Sequence, residues 1–151
     1  MRFRTFGTIL IAATLSACGG GGGGSAAGGY GGAPPAPPPQ SNVPIKQTVA
    51  GGPAFVAPAN DRTLYFLDVD TAAGDRCTGG CLNTWIPLVP SAGAQAQGDF
   101  TIVTRADGTG EQWDYRNHPL YMFAGDSGAD QANGNGIPFD GGHWHVARPA
   151  T

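Results

Sequence analysis

Two stretches of the chain follow the same residue pattern, and this internal repeat restricts the folds that the sequence can adopt. Each stretch reads L-Y-x-x-x-x-D, continues through a glycine-bearing loop, and ends in W-x-x-x-x-P. The first spans residues 64–90 and the second spans residues 120–149, with a longer loop in the second. Because the matching positions occur in the same order, we interpret them as two copies of one supersecondary unit rather than as chance similarity. The predicted copies cover about residues 53–90 and 111–150.

The centre of each copy has the pattern of a buried β-strand. Residues 64–67 and 120–123 are short apolar runs bounded by polar turn residues, as in strands covered on both faces. Asp107-Gly108 separates two further strand-like runs and predicts a hairpin, whereas no apolar stretch of helical period occurs between the glycines and prolines. We therefore expect an all-β domain, a compact antiparallel meander of about eight short strands built from two related halves. The expected shared core consists of Tyr65, Trp85, Trp113, Tyr121 and Trp144.

The segment before the repeats divides into a leader and a tether. Arg2 and Arg4 precede an apolar run of small residues at 8–17, and this run is about half the ~20 residues that a membrane-spanning helix needs. We therefore predict a signal peptide at residues 1–17. A glycine- and proline-rich linker follows at 18–44, too poor in apolar side chains to fold, so we expect it to be disordered. The β-rich domain then occupies residues 45–151.

Cys18 is the predicted lipid attachment site. The residues Leu15-Ser16-Ala17-Cys18 resemble the lipobox of bacterial lipoproteins. The resemblance implies a diacylglyceryl group on the Cys18 sulfur, cleavage after Ala17, and acylation of the new amino group by a chain such as palmitate; two or three chains anchor stably where one is marginal. An ordinary signal peptide with a chance cysteine is the alternative. Gly19 follows, and the lipoprotein sorting rule then implies the outer membrane if the host is Gram-negative.

The chain is acidic and contains no basic cluster in its sequence. Eight Lys and Arg residues stand against eleven Asp and Glu residues, and removal of Arg2 and Arg4 with the signal peptide makes the protein more acidic. The absence of a basic patch argues against nucleic acid as a partner, and also against electrostatic docking on anionic lipid. The expected contact with the membrane is therefore the N-terminal lipid.

Cys77 and Cys81, in the sequence C-T-G-G-C, form a predicted disulfide. Outside the cytoplasm an even pair of cysteines is most simply oxidised, and the intervening glycines suit a tight turn. The alternatives fit less well, because haem c attachment needs C-x-x-C-H, a thioredoxin-like site needs C-x-x-C, and structural zinc needs four ligands.

Several motifs occur in a fixed order along the domain. They include Tyr65, Asp70 and Trp85 in the first copy, and Tyr121, Phe123, Asp126 and Trp144 in the second. With C-T-G-G-C, T-R-A-D-G and Q-W-D-Y between them, residues 53–150 resemble the bacterial lipoproteins described as a secreted repeat of unknown function, which carry a Y-x-(F/W/Y)-x-x-D motif. Leu67 stands where the family usually has an aromatic residue, and W-I-P replaces W-P-P. The resemblance implies a secreted, often lipidated protein with no established activity.

His143-Trp144-His145 is the strongest candidate for chemistry. On a strand, residues i and i+2 share a face, so both imidazoles point away from Trp144. Two such imidazoles hold Cu(II), Zn(II) or Ni(II) when further ligands, such as His118, are near. The alternative is that Trp144 anchors the core and the histidines flank it in solvent. This alternative is favoured by the equivalent Trp85, which has no histidine beside it in the sequence. We therefore expect no cofactor, and a bound metal or haem is the alternative hypothesis.

Three other features have both a binding and a structural interpretation. The oxygen-rich loop at 126–136 suits Ca²⁺ in its ligand types but lacks the EF-hand spacing, and glycine-bearing polar loops are ordinarily turns. Asp70 and Asp126 each follow a strand, where a carboxylate accepts backbone N–H bonds. The repeated aromatic residues form either the core or a stacking platform for sugars, and the core is the more common role.

The inventory of reactive residues disfavours an enzyme. No G-x-S-x-G, H-E-x-x-H or paired-acid constellation occurs, and we predict no catalytic residue. We expect a membrane-anchored envelope lipoprotein, a non-enzymatic binding or structural module whose partner is an envelope protein or a glycan. The alternative is a periplasmic metal- or haem-binding or electron-transfer accessory that uses the three histidines.

Overall fold

The computed structural model describes residues 41–151. They contain ten short strands and one 3₁₀ helix, joined by turns and loops. The predicted signal peptide, Cys18 and most of the predicted linker lie outside these residues. Among the described residues no helix is long and apolar enough to cross a membrane. The strands are β1 (Ile45–Val49), β2 (Gly52–Val56), β3 (Leu64–Leu67), β4 (Trp85–Pro87), β5 (Phe100–Thr104), β6 (Glu111–Tyr115), β7 (His118–Pro119), β8 (Tyr121–Phe123), β9 (Pro138–Phe139) and β10 (Gly142–Val146), and the 3₁₀ helix is Gly79–Asn83.

The all-β, antiparallel class is confirmed, and the strand order adds a feature that the sequence did not predict. Every strand pairing is antiparallel. Strands β5-β6-β7 form a meander, and β1-β2 form a separate hairpin. The central sheet instead has the order β4-β8-β3-β10-β9, so neighbours in the sheet are distant in the chain. Hydrophobic periodicity specifies which face of a strand is buried but not which strand lies beside it, so this order is not readable from the pattern.

The two copies exchange strands across the centre of the sheet. Strand β3 of the first copy pairs with β10 of the second, placing Leu67 opposite Trp144. Strand β8 of the second copy pairs with β4 of the first, placing Phe123 opposite Trp85. At the centre β3 pairs with β8. The two halves of the sheet therefore have the same register and are related by a pseudo-twofold axis, and neither copy contains either partner of its own central strand.

Each copy also begins earlier than the sequence predicted. Phe55 on β2 donates its backbone N–H to Ala147 of the second copy at 2.8 Å, and Trp113 on β6 donates in the same way to Leu88 of the first at 2.9 Å. Hairpins β1-β2 and β5-β6 are thus equivalent elements, and each is the first element of its copy. The β1-β2 turn is Ala50-Gly51, both with positive φ, a two-residue turn of the primed type that lacks the usual Asn or Asp. The predicted Asp107-Gly108 hairpin is present between β5 and β6.

Hydrophobic side chains pack in two clusters, one on each side of the central sheet. Tyr65, Trp85, Tyr121 and Trp144 lie in the first cluster. Trp113 lies instead in the second, with Phe55 and the leucines that precede Tyr65 and Tyr121. The prediction of one shared core is therefore wrong for Trp113, because its parity on β6 directs it to the opposite face from the other four.

Candidate functional site

The tyrosine and aspartate of the repeated motif bond across the two copies. The Tyr65 hydroxyl donates to Asp126 Oδ2 at 2.6 Å, and the Tyr121 hydroxyl donates to Asp70 Oδ2 at 3.0 Å. All four residues are almost fully buried, with at most 2% of the residue exposed. The motif pairs a tyrosine of one copy with the aspartate of the other, so its two ends meet only in the assembled domain.

The second carboxylate oxygen of each aspartate orders the loop that follows it. Asp70 Oδ1 accepts the backbone N–H of Arg76 at 2.6 Å, and Asp126 Oδ1 accepts that of Asn133 at 3.1 Å. Burial raises the pKa of the Asp70 carboxyl, although these hydrogen bonds oppose the shift. The pKa of the Tyr121 hydroxyl is also raised, by burial first and by the charge of Asp70 second. These buried groups bond to one another and to the loops. None of them lines any of the three cavities described below.

The two repeated tryptophans stack on the pseudo-twofold axis. The rings of Trp85 and Trp144 lie 3.7 Å apart between centroids and 10° from parallel, and Phe123 packs against Trp85 at 4.6 Å. Gly134 allows this approach, because a Cβ there would lie 2.7 Å from the Trp85 ring. Both indoles are at most 3% exposed, so the aromatic motif residues form the core and not a platform for a ligand.

A buried arginine distinguishes the second copy from the first. Arg105 is 4% exposed, and its guanidinium donates to the Cys77 carbonyl, to the Tyr121 hydroxyl and to Asp107, the last at 2.7 Å. Burial disfavours the charged guanidinium, but the hydrogen bonds to Asp107 and Tyr121 outweigh it and leave the pKa of Arg105 above its usual value. By strand register the equivalent residue in the first copy is the apolar Val49. Arg105 therefore ties the disulfide loop to the second copy, and we missed it because T-R-A-D-G reads as a surface turn.

Cys77 and Cys81 form a disulfide. The bond closes a short loop that includes the start of the 3₁₀ helix Gly79–Asn83, and β4 begins soon after that helix. Cys77 is fully buried in the first hydrophobic cluster, beside the tryptophans, so the disulfide fixes the start of β4 against the core.

The three histidines do not assemble into a metal site. His145 Nε2 lies 3.2 Å from Asp68 Oδ2, His118 Nδ1 lies 3.1 Å from the Asp70 carbonyl oxygen, and His143 is exposed. Within residues 41–151 no group of three or more His, Cys, Asp or Glu side chains is placed to hold a metal ion. His118 and His145 instead flank Phe66, at 4.7 and 5.5 Å between ring centroids.

The oxygen-rich loop at 126–136 uses its side chains within the protein. Asp130 Oδ1 accepts the backbone N–H of Ala50 at 2.7 Å, and Gln131 Oε1 accepts that of Ser127 at the same distance. Asp126 is bonded to Tyr65 as described above. The loop oxygens therefore hold the loop and its neighbours together, and among the described residues the loop carboxylates do not belong to any group of three or more acidic, His or Cys side chains placed to hold a metal ion.

Two cavities share part of their lining. The larger, of about 460 Å³, is lined by Phe55, Phe100 and Tyr115, together with Lys46 and Arg116. The second, of about 270 Å³, is lined by Phe66, His118 and Arg148, and it shares Tyr115, Arg116 and Ala150 with the first. We call the joined cavities the aromatic groove.

The aromatic groove collects positive charge on an acidic protein. Lys46, Arg116 and Arg148 are exposed and line it, and they are half of the six basic residues in the described chain. Among its lining residues Asp99 is the acidic one, and it pairs with Arg116 at 3.0 Å where both side chains are about half exposed. An exposed pair of this kind contributes at most about 1 kcal/mol, so Arg116 can exchange Asp99 for a bound anion.

The pseudo-twofold axis relates one end of the groove to a plain cavity. By strand register Tyr115, Phe66 and Arg148 correspond to Ala57, Met122 and Val89. Those three residues line a separate cavity of about 250 Å³ that contains no charged side chain. The same backbone therefore presents aromatic and cationic residues at one site and uncharged, non-aromatic residues at the other.

Fold and site together define a small, disulfide-containing, all-β domain made of two strand-exchanged repeats with one charged aromatic groove. Residues 101–148 match a lipoprotein family described as a secreted repeat of unknown function, so the predicted family is confirmed over this segment. The matched residues run from β5 to β10, which is one structural copy; the first copy lies outside the match but has the same strand pairing. The search of curated proteins found no match, and neither did the search of solved structures. The family name and description indicate an extracellular or envelope location.

Proposed function

We propose that this protein is a non-enzymatic binding module of the cell envelope, anchored by lipid at Cys18 and binding its partner in the aromatic groove. The family itself has no defined biochemical role. The supporting observation is the difference between the two copies. The residues that the copies share are buried and bonded to one another, whereas exposed charge and aromatic area are gathered at one of two related cavities.

The size and lining of the groove suit a ligand. Its larger cavity falls in the range of about 300–1,000 Å³ that is typical of sites for small molecules or chain segments. Phe100 and Tyr115 are half-buried, so their rings are held in place and still reachable. Contact with a ligand would remove apolar area from water at roughly 25 cal/mol per Å². The guanidinium groups at the edge would set the orientation of that ligand.

Anchoring is tested separately from binding. We expect the wild-type protein to sediment with membranes and to be released by detergent but not by high salt, because acyl chains and not charges hold it. Replacement of the predicted lipid attachment site, Cys18→Ser, should move the protein to the soluble fraction. A variant that still sediments and still needs detergent would refute lipidation at Cys18.

Binding in the groove is tested by photo-crosslinking in living cells, with the full chain. A photoreactive phenylalanine analogue is placed at Gln97, an exposed residue of the groove, or at Val89, an exposed residue of the plain cavity. We expect a discrete crosslinked product from position 97 and none from position 89. Equal products from both positions, or none from position 97, would refute the groove as the binding site.

A further inference from the structure

We infer that the aromatic groove binds an acidic polysaccharide, a chain of sugar rings that carry carboxylate groups. This inference rests on the proposed binding function and adds the chemical class of the ligand. Three features of the groove point to it: its extent over two cavities, its combination of rings and cations, and its contrast with the plain cavity.

The groove extends over two cavities. Tyr115, Arg116 and Ala150 line both of them, so a chain that crosses from one cavity to the other passes these residues. Lys46 lines only the larger cavity, and Arg148 lines only the smaller one. One cation in each cavity and a third in the shared lining suit an anion that repeats along a polymer better than they suit one compact anion.

Rings occur beside the cations in both cavities. Phe55, Phe100 and Tyr115 form a cluster in the larger cavity with centroids 4.8–5.0 Å apart, in which Phe55 packs edge-to-face on the other two rings. Phe66 lines the other cavity, where it packs on His118 at 4.7 Å. An acidic polypeptide would use the cations but offers no ring at each unit, whereas a uronic acid polymer presents an apolar ring face and a carboxylate at every unit. The observations therefore favour the polysaccharide.

The plain cavity shows that this fold does not by itself produce a charged aromatic surface. With Val89, Met122 and Ala57 in place of Arg148, Phe66 and Tyr115, it lacks both the charge and the rings on an equivalent backbone. The charged aromatic chemistry thus belongs to one of the two equivalent surfaces, which is lined by residues of both copies.

The test uses the full-length lipidated protein in mild detergent and three immobilised polymers. Polygalacturonate is the probe. Methyl-esterified polygalacturonate keeps the rings without the charges, and poly-L-glutamate keeps the charges without the rings. We expect retention on polygalacturonate alone, weakening as salt is raised because the charges are exposed. Arg116→Gln with Arg148→Gln should reduce affinity on the order of ten-fold or more, since each substitution removes a hydrogen bond to a charged group.

A charge-matched variant keeps the result interpretable. Arg76→Gln removes an exposed arginine that pairs with Asp140 outside the groove, and it should leave retention unchanged. Equal retention on poly-L-glutamate would overturn the polysaccharide in favour of an acidic peptide, and equal retention on the ester would overturn the role of charge. Retention on none of the polymers overturns the ligand class, while a product from the position 97 crosslinker still supports the binding function. Loss of both refutes the two together.

Discussion

The crossed tyrosine–aspartate pairs make a quantitative prediction about stability. Tyr65→Phe removes only a hydroxyl, yet it leaves Asp126 Oδ2 without its donor at a residue that is 2% exposed. A buried acceptor that loses its donor costs about 1–3 kcal/mol, because water cannot replace the bond. For a domain of this size the melting temperature should fall by roughly 5–15 °C.

The matched control is the same chemical change at an exposed hydroxyl. The Tyr115 hydroxyl accepts the backbone N–H of Ala150 at 3.1 Å near the chain end, in contact with solvent. Tyr115→Phe should therefore change the free energy of unfolding by less than about 0.5 kcal/mol. Thermal and urea unfolding, followed by tryptophan fluorescence, measure both variants.

A double-mutant cycle separates the bond from general packing effects. Tyr65→Phe and Asp126→Ala are combined, and the coupling energy between them should be on the order of 1 kcal/mol or more, because the two groups share one buried bond. A coupling near zero would refute the account of the motif as a link between the copies. Equal stability of the Tyr65→Phe and Tyr115→Phe variants would refute it as well.

Three further predictions test the packing, the strand exchange and the charges. Gly134→Ala should destabilise the domain by about 1–3 kcal/mol, since its Cβ would lie 2.7 Å from Trp85, whereas Gly128→Ala, with open space around it, should be neutral in the same urea titration. A chain cut after Gln95, in the exposed loop between the copies, should give two fragments that show native near-ultraviolet circular dichroism only when mixed, because β3 needs β10 and β8 needs β4; a cooperative melt of either fragment alone would contradict the exchange. The hydrogen bond with Arg105 holds the pKa of Asp107 below its usual range, so its contribution to stability is present above about pH 4 and is lost as pH falls towards the lowered value. The urea midpoint should therefore drop less between pH 7 and pH 3 in Asp107→Asn than in the wild type, and parallel drops would exclude this role.

The sequence predicted the local elements better than their arrangement. The runs at 64–67 and 120–123 are buried at the centre of the sheet, because short apolar runs between turn residues leave few other structures open to the chain. Hairpin β1-β2 was missed, since its turn is Ala50-Gly51 and Pro53 stands inside the second strand. The strand order of the central sheet could not be predicted either. Two similar copies can form antiparallel pairs within each copy or between the copies, and their sequence pattern is the same in both cases.

The candidate site was the harder part to predict. Phe55, Phe100 and Tyr115 come from three separate strands, and nothing in their spacing indicates that the rings meet. The histidine motif drew attention because its spacing is visible along one strand, and the structure places His143 and His145 on the face opposite Trp144 without a third ligand. A signal was present in the comparison of the copies, because Arg148 and Phe66 occupy positions where the other copy has Val89 and Met122.

The strand exchange explains why function should be sought where the copies differ. Residues shared by both copies contact each other across the interface between the copies. Trp85 stacks on its equivalent Trp144, and each motif tyrosine bonds the aspartate of the other copy. Such a residue cannot change in one copy without disturbing both. Phe66 and Met122 are free of that constraint because their side chains point to the opposite face of the sheet from Tyr65 and Tyr121, and on that face the two cavities have diverged into a charged aromatic groove and a plain one. In a domain built this way the repeated motif maintains the fold, and we expect binding specificity to reside in the residues that break the symmetry.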